Sequence, residues 1–598
     1  MKSIKIFFLI FIFLILFSYG EGKTYYVHPF AGDDNSNGSE KSPWKTLEKV
    51  KNSTEKGDII YLLDFDEKWG WSIYDWPSER VYYSKKIIQY GITWKFDNFY
   101  RIGRFINNDF WVVGPVNIVE INPPSITDEK GNIINGSMIN PTTNKKQGYD
   151  SRAPAFDKNL NVSLNISTSN PLKIDPFSSL ISTKSLEKED YGTFIETAAI
   201  LTVVKEFVPE GSFRPPYFGK EKFFYNEKQI DYSKLKTVPK ESIKSIPKLK
   251  QESDTDHQAS SVERMFERPW IDHLGNWIGR SIHPRKNMEP YGRDISTQVS
   301  IGALTLVLDY PLEEKKRLLI RFIQLGIDLY GIIKGGGTDS WVPNGGHCMG
   351  RKFPIIFAGF MLNDENILKI AEKTGDYLYT KKDGIQYGPG KPPPDYIFFQ
   401  EDDQTFYITK EDVDRILNVE RCQGYVLEAT ENTIKVKHPA SYAPLQGNYI
   451  EITDGPGKGQ RRFIVASTVP RGGGEGILTL DKNWDIIPEP GKSYYKVIGY
   501  EEKDIGMPEW GIRHSTEPTW DNPSWYAEYR GMQAPAYAGW ILASHILGLK
   551  KLWNHDALFD YVDRDFGKRK LGNSFIEEMW KKYREKFPPV WKEKGGKE

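Results

Sequence analysis

The chain has 598 residues, with 80 basic and 80 acidic side chains in balance. One ordinary core cannot bury a chain of this length, so roughly two to four domains are expected. Balanced charge without a basic tract argues against nucleic acid or an anionic membrane as the main partner. The only two cysteines, Cys348 and Cys422, exclude a disulfide scaffold and leave open whether they pair. No cysteine and histidine spacing indicates a structural zinc site, and neither a metal nor a cofactor is predicted.

Residues 1–20 are predicted to be a signal peptide. A short basic start precedes the apolar run from Ile6 to Phe17, and Ser18 and Gly20 occupy the positions that a signal peptidase reads. The run is shorter than the span of about 20 apolar residues that a membrane helix needs. A secreted or periplasmic protein without stable membrane insertion after cleavage is therefore predicted, and an uncleaved anchor is the alternative.

Residues 21–240 form a predicted β-rich region. Short alternating or β-branched runs stand between clusters of Gly, Pro, Asn and Asp, at Asp58–Leu63, Phe110–Ile121, Leu160–Ile166 and Ala198–Val208. The opening TYYVHPFAGDDNSNGSEKSPWKTLEKV, with KGDIIYLLD after it, resembles the first coil of secreted right-handed parallel β-helix proteins. Because no repeat with a period of roughly 20–25 residues follows, one or two β-sandwich-like modules are predicted instead of a full β-helix.

A polar segment at 241–260 is predicted to be a linker, and residues 261–420 are predicted to be helical. Apolar residues recur there at helical spacing in WIDHLGNWIGRSI, ISTQVSIGALTLVLD, EEKKRLLIRFIQLGIDLYGII and PIIFAGFML. Short Gly- and Pro-containing connections favour antiparallel helical hairpins.

Residues 421–502 are predicted to be a small β-barrel or sandwich inserted into the helical region. Its runs GYVLEA, TIKVKH, NYIEITD, RRFIVAST, ILTLD and YYKVIGY alternate or are β-branched, with Gly-rich turns between them. The helical pattern resumes over 503–598, at Ala534–Leu549 and Phe575–Phe587.

A Gly-rich turn running into an apolar helix is the first candidate site. In DSWVPNGGHCMGRKF, the side chains of Asn344, His347 and Arg351 offer an amide, an imidazole and a fixed cation within eight positions. These groups suit a carboxylate or an oxyanion, and Trp341 beside them is a candidate for contact with a sugar ring. The alternative is a capped helix whose polar residues serve only the turn.

Two further segments carry candidate residues. In SIHPRKNMEPYGRDIS, Tyr291 follows His283 by eight residues across an interhelical connection, and Arg293 stands at the start of the next helix. The later segment HSTEPTWDNPSWYAEYRGMQAPAY is dense in aromatic and charged groups and is predicted to form a sugar-binding wall, with a packed loop as the alternative. Its candidates are His514, Trp520, Trp525, Tyr526, Tyr529 and Arg530.

Helical hairpins with Asn, His, Tyr and Arg on their connections, in an exported chain with β modules, resemble the (α/α)-toroid polysaccharide lyases of the alginate lyase and chondroitin AC lyase types. The resemblance spans roughly Val262–Glu420 and Lys503–Phe587 and rests on residue types and their order. In that superfamily the β module usually follows the toroid, whereas here β regions precede and interrupt it. The expected fold is therefore multidomain α+β, with N-terminal β modules, an (α/α) toroid or incomplete barrel, and a small β insert.

The resemblance implies cleavage of a uronic-acid polysaccharide by β-elimination. The charged carboxylate makes the neighbouring C5 proton a poor acid, so neutralising the carboxylate stabilises the enolate-like transition state. Asn344, His347 and Arg351 are expected in this role. Tyr291 is expected to protonate the leaving O4, or to act as both base and acid, with Arg293 lowering its pKa.

For an anti elimination, His283 or His514 is the expected base. The choice between the syn and anti reactions stays open, as does the identity of the uronate. An acidic polysaccharide is the expected partner in either case.

Two other functions fit the sequence. A glycoside hydrolase needs two carboxylates about 5–9.5 Å apart, and its candidates are Glu401, Asp402, Asp403, Glu509, Glu517 and Asp521. A non-catalytic carbohydrate-binding or cell-surface protein would explain the β modules without any catalytic residue.

Overall fold

A computed structural model gives the structure of most of the chain. It describes residues 22–65, 77, 79–142, 145–250, 261–375, 381–382, 385–386, 392–417, 423–438, 445, 449–470, 473–498, 502–511, 523–566 and 573–592, with backbone alone at 381–382, 385–386, 414–417, 438 and 523–531. The predicted signal peptide lies outside these ranges. None of the described helices has the length and apolar character needed to cross a membrane.

Ten strands between residues 24 and 204 form one hydrogen-bonded sheet. Its order is β1-β2-β3-β4-β5-β12-β11-β9, and β6 pairs with both β4 and β10. The strands of the sheet are β1 Thr24–Val27, β2 Ile59–Leu62, β3 Val81–Gln89, β4 Ile92–Arg104, β5 Phe110–Val113, β6 Val116–Asn122, β9 Ser137–Ile139, β10 Leu172–Ile174, β11 Ser178–Asp190 and β12 Thr193–Val204, and the short pair β7 Ile126–Thr127 and β8 Ile133–Ile134 lies beside it.

The first three strands pair in parallel, and most of the others pair antiparallel. The hairpins β3–β4 and β11–β12 close through two-residue turns, Tyr90-Gly91 and Tyr191-Gly192, in which both residues have positive φ. This geometry matches the twist of adjacent antiparallel strands. Three of the four predicted strand runs in this region are confirmed, and the fourth, Leu160–Ile166, is wrong because a 3-10 turn at Lys158–Leu160 and a loop occupy it.

Strand β12 belongs to two cores at once. Because successive side chains of a strand point to opposite faces, Ala199 and Leu201 pack in the core of the sheet region, whereas Ala198 and Ile200 pack against the helices. The β-rich region and the helical region therefore share one wall.

The helices lie mainly after residue 261, as the periodicity predicts. They are α1 Leu47–Ser53, α2 Val262–Met265, α3 Gly292–Leu306, α4 Leu312–Lys334, α5 Lys352–Leu362, α6 Glu365–Leu368, α7 Gln400–Asp403, α8 Lys410–Leu417, α9 Pro523–Leu547, α10 Lys550–Trp553, α11 Asp556–Asp565 and α12 Ser574–Tyr583. Helix α3 packs on α9, α4 packs on α5, and α11 and α12 both pack on α9. The prediction of a helix over the whole of WIDHLGNWIGRSI is wrong, since only a 3-10 turn at Trp277–Ile282 forms there.

A seven-stranded sheet with its own core interrupts the helices, and all its strands fall within the predicted insert at 421–502. They are β16 Gln423–Tyr425, β17 Glu428–Ala429, β18 Thr433–His438, β19 Tyr449–Asp454, β20 Arg461–Ser467, β21 Gly474–Leu480 and β22 Tyr494–Ile498. Two short pairs flank the insert: β13 Lys381–Lys382 with β14 Ile385–Gln386, and β15 Thr405–Tyr407 with β23 Pro508–Trp510. The predicted multidomain α+β class is confirmed.

The first half of the predicted linker packs against the helical region. Ile243 and Leu249 are buried in the helical core, and the backbone N–H groups of Lys244 and Ser245 donate to the Glu578 carboxylate of α12. The second half, 251–260, lies outside the described residues.

A buried ion triad ties the N-terminal sheet to the helices. The Arg214 guanidinium lies between Asp109, just before β5, and Asp328 in α4, and donates to both carboxylates. All three side chains are almost fully buried. Removing one partner of a buried ion pair leaves an uncompensated charge in a medium that solvates it poorly.

We expect Asp328→Ala to destabilise the protein by about 3–5 kcal/mol, because Arg214 then keeps only one of its two carboxylates. The measurement is the denaturant midpoint of the full chain. The matched control is Glu120→Ala, which removes an exposed ion pair with Lys95 and should cost less than about 1 kcal/mol. Equal effects of the two substitutions would show that the triad does not hold the regions together.

Candidate functional site

The candidate site is built over one buried carboxylate, that of Asp272, which is 2 % exposed. Three side chains from two segments of the chain donate to it: His283 Nε2 at 3.0 Å, and, from the two ends of the Gly-rich turn, Trp341 Nε1 at 3.0 Å and Arg351 Nε at 2.8 Å. Burial alone would raise the pKa of Asp272, but the Arg351 charge and the His283 hydrogen bond hold it well below its usual range.

Arg351 and Trp341 face this carboxylate and are nearly inaccessible to solvent. The Arg351 guanidinium donates to both Asp272 oxygens and to the carbonyl of Met349. Its three nitrogens are thus occupied, and Trp341 is buried too deeply to stack on a sugar ring. Both residues support the Gly-rich turn from beneath.

His283 is also part of this support. Its Nε2 faces the Asp272 carboxylate and its Nδ1 faces the carbonyl of Glu289 at 3.0 Å. In this arrangement protein oxygens engage both ring nitrogens of the buried His283, and the ring orients the Asp272 carboxylate.

Helix α7 fixes the Gly-rich turn through two consecutive side chains. The Gln400 amide accepts from the backbone N–H groups of Asn344 and Cys348, and it donates to the carbonyl of Gly345. The Glu401 carboxylate accepts from the N–H groups at the end of the turn, at Gly350 and Lys352. These five bonds satisfy backbone groups that a tight turn and a helix start leave without partners.

The turn lies directly against the start of α3. A Cβ at Gly346 would collide with the phenol oxygen of Tyr291, and a Cβ at Gly292 would collide with the backbone carbonyl of His347. Glycine at these two positions lets the turn and the helix approach closely. As a result, Tyr291 and His347, which are candidate site residues from two different segments, are in contact.

Tyr291 and His347 form the accessible pair of the site. Their ring centroids are 4.9 Å apart with an interplanar angle of 81°, and both side chains are half-buried. Burial, and then the nearby positive charge of Arg280, lower the pKa of His347 to about 4. The imidazole is therefore neutral at pH 7 and can accept a proton.

Two half-buried arginines flank the pair. The Arg293 guanidinium lies 5.4 Å from the centre of the Tyr291 ring, and Arg280 is close enough to His347 to affect its protonation. Within the described ranges, neither arginine forms a salt bridge, and Arg293 has a long contact to the sulfur of Met532. In this respect they differ from Arg214 and Arg351, whose carboxylate partners are buried with them.

The amide of Asn344 completes this face of the molecule. Its Nδ2 donates to the side-chain oxygen of Asn276 at 2.7 Å, and the backbone N–H of His347 donates to the Asn344 carbonyl. We call the surface formed by Tyr291, His347, Asn344, Arg280 and Arg293 the polar face. It presents a phenol, a neutral imidazole, an amide and two cations.

The carboxylates proposed for a hydrolase are buried and engaged where the structure describes them. Glu401, Asp402 and Asp403 are inaccessible to solvent. Asp402 pairs with Lys352 and accepts from the indole of Trp553, and Asp403 accepts from a phenol, that of Tyr396. Burial raises the pKa of Glu401 to about 7. Glu509 is also buried, and Glu517 and Asp521 lie outside the described residues.

The predicted sugar-binding wall falls largely outside what the structure describes. His514 and Trp520 lie in a segment without description, and Trp525, Tyr526, Tyr529 and Arg530 belong to the first turns of α9, where only the backbone is described. Cys348 is a buried free thiol, and Cys422 is outside the described ranges. In the part of the chain that the structure describes, no three metal-ligating side chains gather into a group.

Sequence reasoning missed Asp272, Gln400 and Arg280. Asp272 and Arg280 lie in WIDHLGNWIGRSI, whose apolar spacing predicts a helix, although the pair Gly275-Asn276 within it is a turn signal. Gln400 precedes three acidic residues and carries no local signal, because its role depends on a turn about fifty residues earlier in the chain.

Comparison of the chain with protein-family models, with curated proteins and with solved structures finds no match.

We expect two Gly→Ala substitutions to differ in their effect on stability. Gly292→Ala should destabilise the protein by about 1–3 kcal/mol, because its Cβ meets backbone atoms of His347 that cannot move alone. Gly346→Ala meets only the end of the Tyr291 side chain and should cost less than about 1 kcal/mol. Denaturant midpoints of both variants measure this, and the opposite order would contradict the packing of α3 on the turn.

Proposed function

We propose that the protein is a secreted polysaccharide lyase that cleaves a uronic-acid polysaccharide by β-elimination, on a helical region of the (α/α)-toroid type. The observation that carries the proposal is the Tyr291–His347 pair on a face with two arginines that lack carboxylate partners within the described ranges. A proton donor, a neutral base and cations for a carboxylate are the groups that this reaction requires.

In the proposed complex, the Arg293 guanidinium and the Asn344 amide bind the uronate carboxylate. A guanidinium donates two parallel hydrogen bonds to a carboxylate, which draws negative charge away from C5. The C5 proton becomes more acidic, and the enolate-like transition state is stabilised where its charge develops. Arg293 replaces Arg351 in this role, because Arg351 is already bound to Asp272.

The proton transfers are assigned to the aromatic pair. The His347 imidazole accepts the C5 proton, and the electrons of the C5–H bond form the C4–C5 double bond. The C4–O4 bond breaks, and the Tyr291 phenol donates its proton to the departing O4. The products are an unsaturated uronate end and a free hydroxyl end, so atoms and charge balance.

Asp272 and its partners act as positioning residues in this proposal. The turn that carries Asn344 and His347 is attached to Asp272 through Arg351 and to α7 through Gln400. A group misplaced by about 1 Å can lose a large part of its catalytic effect, so this support matters for rate.

The hydrolase alternative has less support from the described residues. Glu401, Asp402 and Asp403 are fully buried and bonded to protein groups, so no pair of them could flank a glycosidic bond. No observation in the described ranges favours a second enzymatic class.

We expect Tyr291→Phe and His347→Ala each to lower the elimination rate by at least about a hundredfold, because each removes one of the two proton-transfer groups. Full-length variants are incubated with alginate, glucuronan, pectate and glycosaminoglycans, and the absorbance of the unsaturated uronate is followed. Circular dichroism confirms that the variants fold.

Three outcomes of the wild-type assay separate the function classes. An increase in this absorbance supports a lyase. Release of reducing sugar without the absorbance supports a hydrolase, and the absence of both signals supports a binding protein. Wild-type rates in both variants would refute the assignment of Tyr291 and His347.

The pH profile gives an independent test of His347 as the base. Since its pKa is about 4, the rate should fall only when the pH drops towards that value and the imidazole becomes protonated. Arg280→Gln removes the neighbouring positive charge, which raises the pKa of His347 and moves the acidic limb to higher pH.

Arg293→Gln is the matched control for this shift. It removes a carboxylate ligand and lowers the rate, but Arg293 does not contribute to the low pKa of His347, so the acidic limb should stay in place. Because all variants act on the same substrate, titration of the substrate carboxylate cancels in the comparison. Identical limbs for wild type and Arg280→Gln would exclude His347 as the titrating base.

A further inference from the structure

We infer that Trp277 and Arg280 form a second uronate-binding subsite at the edge of the polar face, to which Arg280 also belongs, and that this subsite holds the sugar unit adjacent to the one that reacts. The inference rests on the proposed function for the identity of its ligand. None of the residues predicted from the sequence to bind substrate belongs to this subsite.

The subsite is attached to the Gly-rich turn through Asn276. The side chain of Asn276 accepts from the Asn344 amide at 2.7 Å and from the backbone N–H of Trp277 at 2.6 Å. Its backbone has φ 54° and ψ −168°, a conformation that residues other than glycine rarely adopt. The surrounding contacts therefore hold this residue in a strained geometry, and that geometry directs the 3-10 turn at Trp277–Ile282 alongside the polar face.

Trp277 and Arg280 lie one turn apart on this segment. The Trp277 side chain is 47 % exposed, although the segment around it is mostly buried. The Arg280 guanidinium lies 5.7 Å from the centre of the Trp277 ring. Among the described residues no carboxylate forms a salt bridge with Arg280, so its charge is available to an anion.

The β11–β12 hairpin forms the outer edge of the subsite. A Cβ at Gly192 would lie 2.8 Å from Arg280 Nε, so the hairpin tip lies directly against the guanidinium. Tyr191, the other residue of this turn, is 77 % exposed. The N-terminal sheet thus reaches the site and limits how far the Arg280 side chain can move.

The chemistry of this pair selects an acidic sugar. An aromatic ring offers a flat apolar surface for the C–H face of a pyranose, and a guanidinium binds a carboxylate through two hydrogen bonds. Arg280 is also near enough to His347 to lower the pKa of that imidazole, so the subsite and the Tyr291–His347 pair are neighbours. A neutral polysaccharide would gain the stacking contact but no charged bond.

The test is binding of uronate tetrasaccharides to the full chain, measured by titration calorimetry. The tetrasaccharides are made of mannuronate, glucuronate or galacturonate, and a tetrasaccharide of glucose is the neutral probe. All variants carry Tyr291→Phe, so that consumption of the bound sugar is slow. Trp277→Ala and Arg280→Ala are compared with Trp277→Phe and Arg280→Lys, and with Tyr425→Ala, which removes an exposed aromatic ring from the inserted sheet.

Trp277→Ala and Arg280→Ala should each weaken binding of at least one uronate tetrasaccharide roughly tenfold or more, the effect expected from losing a charged or stacked contact. Trp277→Phe keeps a flat ring and should recover most of the affinity, whereas Arg280→Lys keeps the charge without the two-pronged geometry and should recover only part. Tyr425→Ala should bind like the parent protein.

Unchanged affinity in both alanine variants would overturn the inference, and so would the absence of binding of any uronate tetrasaccharide. Equal losses for the glucose tetrasaccharide in the Arg280→Ala variant would also overturn it, because the charge would then have no role. If both alanine variants lose affinity but wild-type protein produces no unsaturated uronate, the subsite is supported and the elimination reaction is refuted.

Discussion

The buried carboxylate of Asp272 is the constraint on which the candidate site depends. An ionised group removed from water costs several kcal/mol unless partners satisfy it, so its environment must supply donors in a fixed geometry. His283 supplies one from the segment before α3, and Trp341 and Arg351 supply the others from the two ends of the Gly-rich turn. Their positions are therefore set together, and the Gly-rich turn and the 3-10 segment beside it are anchored from beneath.

This arrangement separates supporting residues from reactive ones. The buried layer contains ionic groups whose hydrogen-bonding capacity is used within the protein, notably Arg351 and Glu401. Above it lie Tyr291, His347 and Arg293, which are half-buried. Burial also lowers the pKa of His347, so the same packing that positions the imidazole keeps it neutral. The packing around the site therefore sets both the position and the protonation state of the His347 imidazole.

The N-terminal sheet contributes to the site as well as to the fold. Strand β12 packs on the helical core with one face, and the Arg214 triad attaches the sheet to α4. Because these contacts hold the sheet firmly, the tip of its β11–β12 hairpin can lie against Arg280. The β region that precedes the helices therefore forms the outer edge of the proposed subsite, and its removal would alter that subsite.

The sequence by itself determined the features that local periodicity encodes: helices α3, α4 and α5, the strands of the insert, and the turn that carries Asn344 and His347. Side-chain spacing of 3.6 or 2 residues is visible in a short window, and so are turn-forming glycines. Only the tertiary structure decided which polar residues are buried. Arg351 and Arg293 look equivalent in sequence. In the structure, however, Arg351 forms a salt bridge with Asp272, whereas Arg293 forms none within the described ranges. Gln400 likewise acquires its role from a turn that is distant in the chain. Burial and pairing depend on contacts between distant segments, which no local pattern records.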